Sequence, residues 1–201
     1  MKFGLAFASS AGTESDTALE ICQVAEKVGF ESVWGGEHVI FPSSIESKYP
    51  YTSDGKVPAT KDTMIHDPLI WLAYVAAIAP TLRLGTCILI LPQRNPLILA
   101  KEISSLDYLS GGRVELGIGV GWLKEEFEAL GVPWGRRGAR TDEYVHALRA
   151  LWGGTDVEFH GDFVDFEPVT CTPRPVQKRI PILVGGDTPA AVRRAAKLAD
   201  G

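Results

Sequence analysis

The 201-residue chain carries a formal net charge of −5 at pH 7, and 45% of its residues are hydrophobic and 22% charged. This length allows one substantial core, and the composition is ordinary for a globular protein with no break that suggests two domains. The negative charge argues against nucleic acid or an anionic membrane surface as the main partner.

Cysteine usage and the start of the chain both predict a cytoplasmic protein. The chain has three widely spaced cysteines, Cys22, Cys87 and Cys171. An odd number at this spacing suits a reducing compartment and predicts neither a disulfide framework nor a zinc site. Met1 leads into an apolar strand rather than a signal segment, and no apolar run approaches the ~20 residues of a membrane span. We therefore predict no membrane partner and no bound metal.

The first part of the chain predicts two buried strands, Phe3–Phe7 and Glu31–Trp34. Between them lies a helix that Asp16 or Ser15 can cap and that Gly29 ends. The stretch after the second strand, residues 38–66, is polar, rich in proline and without periodicity. A stretch of this length inside a compact domain is usually a functional lid or a disordered tip.

The middle of the chain continues the alternation of strand and helix. Asp67 and Pro68 predict the cap and first position of a largely buried helix over residues 69–79. A strand over Leu82–Leu91 follows, and Asn95-Pro96 opens another helix that ends at Gly111-Gly112. The next strand runs from Arg113 to Trp122.

The last part of the chain predicts two further amphipathic helices, a hairpin and one more strand–helix unit. Leu123, Phe127 and Leu130 share one helical face, and a second helix covers Thr141–Trp152. A small hairpin is predicted at Val157–Phe166. The fifth strand, Ile182–Val184, precedes a helix capped at Asp187-Thr188-Pro189.

Five strand–helix units with crossovers long enough for parallel pairing predict an α/β protein. A doubly wound sheet and a (β/α)8 barrel both fit this pattern. Polar and glycine-rich segments follow several strands, and both folds place their sites at the C-terminal ends of strands. The position of these segments therefore does not choose between the two folds.

Glycine alternates with apolar residues at the end of the fourth strand. Gly117, Gly119 and Gly121 leave one side of the backbone bare, so that either a ligand or a neighbouring backbone could approach closely. A strand, a bare turn and a helix start can bind phosphate. The Rossmann fingerprint is a poor match, because it normally lies on the first strand–helix turn.

Glu37 and His38 are the strongest acid–base candidates. They follow the second strand, and a carboxylate beside a histidine can set its tautomer or raise its pKa. The residues alone leave open a histidine that only holds its loop. No serine nucleophile elbow is present.

Four segments together resemble the luciferase-like monooxygenase family, and most closely its branch that uses the deazaflavin coenzyme F420. In chain order they are Ser32–His38 (SVWGGEH), Arg83–Ile88 (RLGTCI), Gly112–Trp122 (GRVELGIGVGW) and Ile182–Gly186 (ILVGG). The resemblance implies a (β/α)8 TIM barrel with the deazaflavin ring across its C-terminal mouth. It also implies a homodimer and a small-molecule substrate.

The resemblance also assigns roles to residues. His38 would be the proton donor, with Glu37 beside it. The coenzyme ring would contact a third-strand bulge formed by Thr86, Cys87 and Ile88, with a cis peptide between Cys87 and Ile88. The phosphate-bearing tail would lie near the turn of Gly119, Val120 and Gly121 and would make a second contact with Gly185 and Gly186. Gly-Ile-Gly-Val at the fourth strand, where FMN-dependent relatives often carry Asn-Ile-Val-Thr, favours F420 over FMN.

The implied function is hydride transfer between F420 and a small organic substrate. The alternatives are an FMN-dependent monooxygenase on the same fold and a non-catalytic truncated barrel. A barrel of this family needs eight strands, whereas five are predicted in residues 1–201. The expectation is therefore the N-terminal two-thirds of one barrel domain, with open edges at the first and fifth strands.

Overall fold

One parallel sheet with helices packed along it organises residues 1–201, all of which the computed structural model describes. Its strands are β1 (Gly4–Leu5), β2 (Ser32–Gly35), β3 (Arg83–Thr86), β4 (Leu89–Ile90), β5 (Val114–Gly119) and β8 (Ile182–Val184). A separate antiparallel hairpin is formed by β6 (Val157–His160) and β7 (Asp165–Val169). The predicted hairpin and all five predicted strand positions are present.

The strand order identifies the architecture as part of a barrel. β1 pairs with β2, β2 with β3, and β3 with β5, always in parallel. β4 continues β3 along the same side of β5, and β8 pairs with the other side. The order follows the sequence without the reversal that marks a doubly wound sheet. The (β/α)8-type expectation is thus confirmed for this part of the barrel.

The helices begin and end largely where local chemistry predicts. They are α1 (Ala8–Ala11), α2 (Ser15–Lys27), α3 (Pro68–Ile78), α4 (Pro96–Ser110), α5 (Lys124–Ala129), α6 (Arg137–Gly153) and α7 (Pro189–Leu198). The side chains of Asp67, Asn95 and Thr188 accept backbone N–H groups at the starts of α3, α4 and α7, each followed by proline. Gly111 ends α4 in the left-handed conformation, with φ of 69°.

Four boundary predictions were wrong. The fourth strand, predicted to reach Trp122, ends at Gly119. The first strand stops at Leu5, because Phe7 adopts a φ of 54° as the residue before α1. α2 begins at Ser15 after Glu14, so neither Ser15 nor Asp16 is its cap. α6 begins at Arg137 rather than at Thr141. The residues that precede these three helices, Phe7, Glu14 and Arg136, make no side-chain cap hydrogen bond, so the usual signal of a helix start is absent.

Trp34 fills the inside of the sheet where three strands meet. Its ring lies over the bare faces of Gly4 in β1 and Gly85 in β3, and a Cβ at Gly85 would overlap the ring. Its indole N–H donates to the Ser32 hydroxyl at 2.8 Å. The two glycines are thus needed to admit a large aromatic side chain.

The two edges of the sheet differ. The outer edge of β8 is partly paired, because Asp200 N–H donates to Ile182 O at 2.8 Å and Val184 N–H donates to Gly201 O at 2.9 Å. The expectation of an open edge there was therefore wrong. β1 has only β2 as a partner, and an apolar groove lined by Leu5, Ile21, Val24, Val28 and Phe30 lies beside it.

Among the helices, none combines the length and the apolar character that a membrane span requires.

Candidate active site

The residues that the sequence singled out meet at the C-terminal ends of four neighbouring strands. Cys87 N–H donates to Gly35 O at 2.7 Å, which ties the end of β3 to the end of β2. Gly185 N–H donates to Ile118 O at 2.8 Å, which ties the end of β8 to β5. The mouth of the barrel therefore gathers segments that are far apart in sequence.

The predicted third strand is broken where the resemblance places its bulge. β3 ends at Thr86 and β4 resumes at Leu89, and the Cys87–Ile88 peptide bond between them is cis, as predicted. The Thr86 hydroxyl donates to Gly117 O at 2.7 Å and is buried. Thr86 therefore fastens the bulge to β5, and only Cys87 and Ile88 of this segment are partly exposed.

The bare faces of the site glycines are covered by other parts of the chain. A Cβ at Gly117 would overlap the Thr86 carbonyl oxygen, and one at Gly119 would overlap the Ile88 side chain. Gly185 meets the same side chain, with Ile88 Cγ2 2.7 Å from the position of a Cβ. Close approach by other parts of the protein, rather than by a ligand, therefore explains why glycine occupies these positions.

The start of α5 is also occupied. Gly121 has a φ of 79°, and a Cβ there would lie 2.6 Å from the Phe127 ring. Lys124 N–H, the first of the helix, donates to the Ser47 hydroxyl at 3.1 Å, and Glu125 and Glu126 place negative charge in the first turn. These acidic side chains oppose a phosphate at the helix start. Only the backbone of Gly119, Val120 and Gly121 and the side chain of Val120 therefore remain available for the predicted contact with the coenzyme.

Glu37 and His38 do not form the expected pair. Successive residues of an extended segment point to opposite sides. The Glu37 carboxylate accepts Ile90 N–H at 2.5 Å and Arg94 Nε–H at 2.9 Å, and its side chain is 1% exposed. Burial raises the pKa of Glu37, whereas the Arg94 guanidinium and the Ile90 N–H favour its ionised form. Glu37 therefore braces the strand that follows the bulge.

Arg94 connects Glu37 to two further carboxylates. Its guanidinium donates to Asp67 at 2.5 Å and lies 3.6 Å from Glu102. Asp67 also caps α3, so this cluster joins the end of β2 to the starts of two helices. The charges of this cluster are paired within the protein, which leaves His38 as the remaining acid–base candidate of this segment.

His38 pairs instead with Glu126, a residue that the sequence analysis missed. His38 Nδ1 lies 3.1 Å from Glu126 Oε2, and the Glu126 side chain is fully buried. Glu126 Oε1 also accepts Val39 N–H at 2.7 Å. One signal was available: Glu126 lies three positions after Leu123 and next to Phe127, on the apolar face of its helix, where a carboxylate needs a partner.

Aromatic side chains surround the His38 ring. Phe41 and Trp122 lie edge-on to it, with ring centroids 5.4 Å and 5.9 Å away. Tyr49 packs against Trp122 at 5.0 Å and against Tyr51 at 5.3 Å. His38 Nδ1 has its partner in Glu126, whereas Nε2 makes no hydrogen bond with the protein. The result is one polar ring nitrogen within an apolar wall.

The long segment of residues 39–66, here called the lid, has no helix or strand but is held at several points. Glu125 accepts Glu46 N–H at 2.7 Å, Ser47 N–H at 2.9 Å and the Ser47 hydroxyl at 2.7 Å. Burial opposes ionisation of Glu125, but these hydrogen bonds outweigh it and lower its pKa to about 2. His66 Nε2, at the far end, lies 2.8 Å from Thr13 O. Of the two sequence readings, a fastened lid is observed.

Replacement of Gly117 with alanine is expected to destabilise the protein by about 1–3 kcal/mol or more. The added methyl group meets the Thr86 carbonyl, which is backbone and cannot rotate away. Gly153→Ala is the matched control, because that glycine lies in α6 with no atom within 4 Å of its Cβ position and should be neutral or slightly stabilising. Chemical denaturation of both variants measures the difference, and equal stabilities would contradict the close approach of β3 and β5.

Comparisons with known proteins agree on one family. The family model described as luciferase-like monooxygenase matches residues 1–201. An uncharacterized protein of Mycobacterium tuberculosis is 38% identical over 201 residues, which cover 100% of this chain and 68% of that protein. The FMNH(2)-dependent dimethylsulfone monooxygenase of Pseudomonas putida is 32% identical over 186 residues, 90% of this chain and 46% of that enzyme.

A solved structure shares the fold. An F420-dependent secondary alcohol dehydrogenase, in complex with an F420–acetone adduct, superposes with a TM-score of 0.79 at 25% sequence identity. The match covers 99% of this chain and 56% of that one. The chain thus spans about two thirds of its mycobacterial relative and a little over half of the solved dehydrogenase.

Proposed function

The chain belongs to the luciferase-like monooxygenase family, and from this membership we propose that it binds the deazaflavin coenzyme F420 and transfers a hydride between it and a small organic substrate. The observation that carries the proposal is the free Nε2 of His38 within an aromatic wall, at the same end of the sheet as the Cys87–Ile88 bulge. We further propose that the protein acts as a cytoplasmic homodimer.

The residues present fit a flat ring system better than they fit a charged ligand. The partly exposed groups at the mouth are apolar or aromatic, chiefly Ile88, Val120 and Trp122.

The coenzyme would supply the two-electron chemistry, and the protein would position it and manage the proton. Cys87 and Ile88 would support the ring, while the backbone of residues 119–121 and of Gly185-Gly186 would contact the tail. His38 would hold a proton at Nε2 and deliver it to the substrate as the substrate gains the hydride. The lid and the aromatic wall would exclude water from this transfer.

An FMN-dependent monooxygenase is the second candidate function. The dimethylsulfone monooxygenase relative, whose name states its dependence on FMNH(2), supports it. Both coenzymes present a three-ring face and a phosphate-bearing tail, so the bulge and the apolar wall serve either. The glycine-rich end of β5, where the FMN-dependent relatives often carry Asn-Ile-Val-Thr, is the feature that favours F420.

Titration of the purified protein with each coenzyme separates these functions. We expect F420 to bind at least about tenfold more tightly than FMN, followed by changes in its absorbance and fluorescence, and reduced F420 to be oxidised by a member of a panel of enones, imines and quinones. Tighter binding of FMN would favour the monooxygenase, and binding of neither would favour a non-catalytic barrel. Gly153→Ala, remote from the mouth, is the matched control and should bind as the parent does.

The apolar outer faces of α3 and α4 support the homodimer. α3 contains no charged residue, and its Ile70 side chain is 73% exposed; on α4, Ile98 and Leu109 are 60% and 82% exposed. Two copies that meet through the same helices would cover these side chains by twofold symmetry. The mass in solution, measured alongside the coenzyme titration, tests this part of the proposal.

A further inference from the structure

The two carboxylate oxygens of Glu126 bind different groups of one segment, the His38 ring and the backbone of the two residues that follow it. Oε2 lies 3.1 Å from His38 Nδ1, and Oε1 accepts the backbone N–H groups of Val39 at 2.7 Å and Ile40 at 3.4 Å. A carboxylate can only accept hydrogen bonds. With Glu126 ionised, the imidazole carries its proton on Nδ1, which leaves Nε2 directed away from Glu126.

No cation neutralises this carboxylate. Glu126 is fully buried, and its one ionisable partner within salt-bridge distance is His38. The other titratable groups near this end of the sheet have different partners or are kept neutral: Glu37 is bound to Arg94, Glu125 is bound to the lid, and burial raises the pKa of the Cys87 thiol. The charge on Glu126 therefore acts chiefly on the His38 ring.

We propose that Glu126 is a positioning residue for His38, which fixes the Nδ1–H form and stabilises the imidazolium that donates from Nε2. A buried negative charge within hydrogen-bonding distance favours the charged form of a histidine. As the substrate gains the hydride, the Nε2 proton passes to the substrate, the imidazole becomes neutral with its proton on Nδ1, and Glu126 keeps its charge. This inference rests on the proposed role of His38 as proton donor.

Glu125 provides a matched control one position away. It also lies in the first turn of α5, and it also fastens the lid, through Glu46 and Ser47, but it makes no contact with His38. Glu125→Gln therefore disturbs the lid alone. Glu126→Gln can still accept Val39 N–H through its amide oxygen, while its NH₂ group faces Nδ1 and its negative charge is lost.

The direct test is NMR of the protein labelled with ¹⁵N-histidine. The chain has four histidines, and His38→Gln identifies the signal of His38. We expect the neutral ring to carry its proton on Nδ1 in the parent, and we expect Glu126→Gln to move that proton to Nε2, because its amide NH₂ group can donate to Nδ1. Glu125→Gln should leave the Nδ1–H form unchanged. An Nε2–H ring in the parent, or the same change of tautomer in both variants, would overturn the proposal.

Kinetics provide a second measurement once the coenzyme is known. Glu126→Gln should lower kcat by about 10–100-fold, with KM within a factor of about three. Glu126→Asp should restore part of the rate. An absence of turnover with every coenzyme would reject the proposed function, while the tautomer in the parent protein would still decide the role of Glu126.

Discussion

Replacement of His38 with glutamine is expected to lower turnover by about 10²–10⁴-fold while coenzyme affinity changes by less than about threefold. General acid catalysis typically contributes a factor of this size, and His38 Nε2 is the free polar ring atom within the aromatic wall. Glutamine is close in size and polarity but cannot supply a proton near neutral pH. Steady-state turnover and a coenzyme titration on the same preparation separate the two effects.

His66→Gln is the matched control for this experiment. His66 is also partly buried, but its Nε2 is occupied by the Thr13 carbonyl at 2.8 Å, so it supports the base of the lid. Its replacement should affect stability more than turnover. Turnover of His38→Gln within a factor of a few of the parent would remove His38 from the chemistry.

Replacement of Arg94 with methionine is expected to destabilise the protein by about 3–5 kcal/mol. The change leaves the Glu37 carboxylate buried without its cation, and breaking one side of a buried ion pair has a cost of this order. The loss should also depend on pH. Burial then raises the pKa of Glu37 with only the Ile90 N–H opposing it, so the deficit should shrink as pH falls through that pKa toward the ordinary value of 4.5. Chemical denaturation over a pH series measures both quantities.

Two further variants test whether the unpaired charge of Glu37 causes this loss of stability. Arg179→Met removes a mostly exposed arginine that pairs with Asp200, so it should cost no more than about 1 kcal/mol. The double variant Glu37→Gln, Arg94→Met removes the stranded charge and should be more stable than Arg94→Met alone. If the double variant were the less stable of the two, Glu37 would not be the reason for the loss.

Features of the fold that depend on adjacent residues could be predicted from the sequence. The caps Asp67, Asn95 and Thr188, each followed by proline, were identified because a cap and its N–H groups lie within three positions. The left-handed residue Gly111 is of the same kind. The break between β3 and β4 was different: composition gave no sign of it, and only the resemblance to a family predicted it.

The roles of the site residues depended on partners that are remote in sequence. Glu37 was expected to assist His38, yet its partners Ile90 and Arg94 lie 53 and 57 positions away. The partner of His38 is 88 positions away. Sequence alone places both residues at the end of a strand, but it cannot show which side each side chain faces once neighbouring strands and α5 are in place.

The fastening of the lid has a consequence for how this scaffold can change. Glu126 and Glu125 hold its first residues and its middle, at Val39 and Ser47, and His66 holds its base. Residues 52–64 lie between these attachments and contain no helix or strand. Insertions, deletions or grafted loops in this interval should therefore be accommodated without moving the imidazole. The same framework could in this way be adapted to new substrates by exchanging one short cassette.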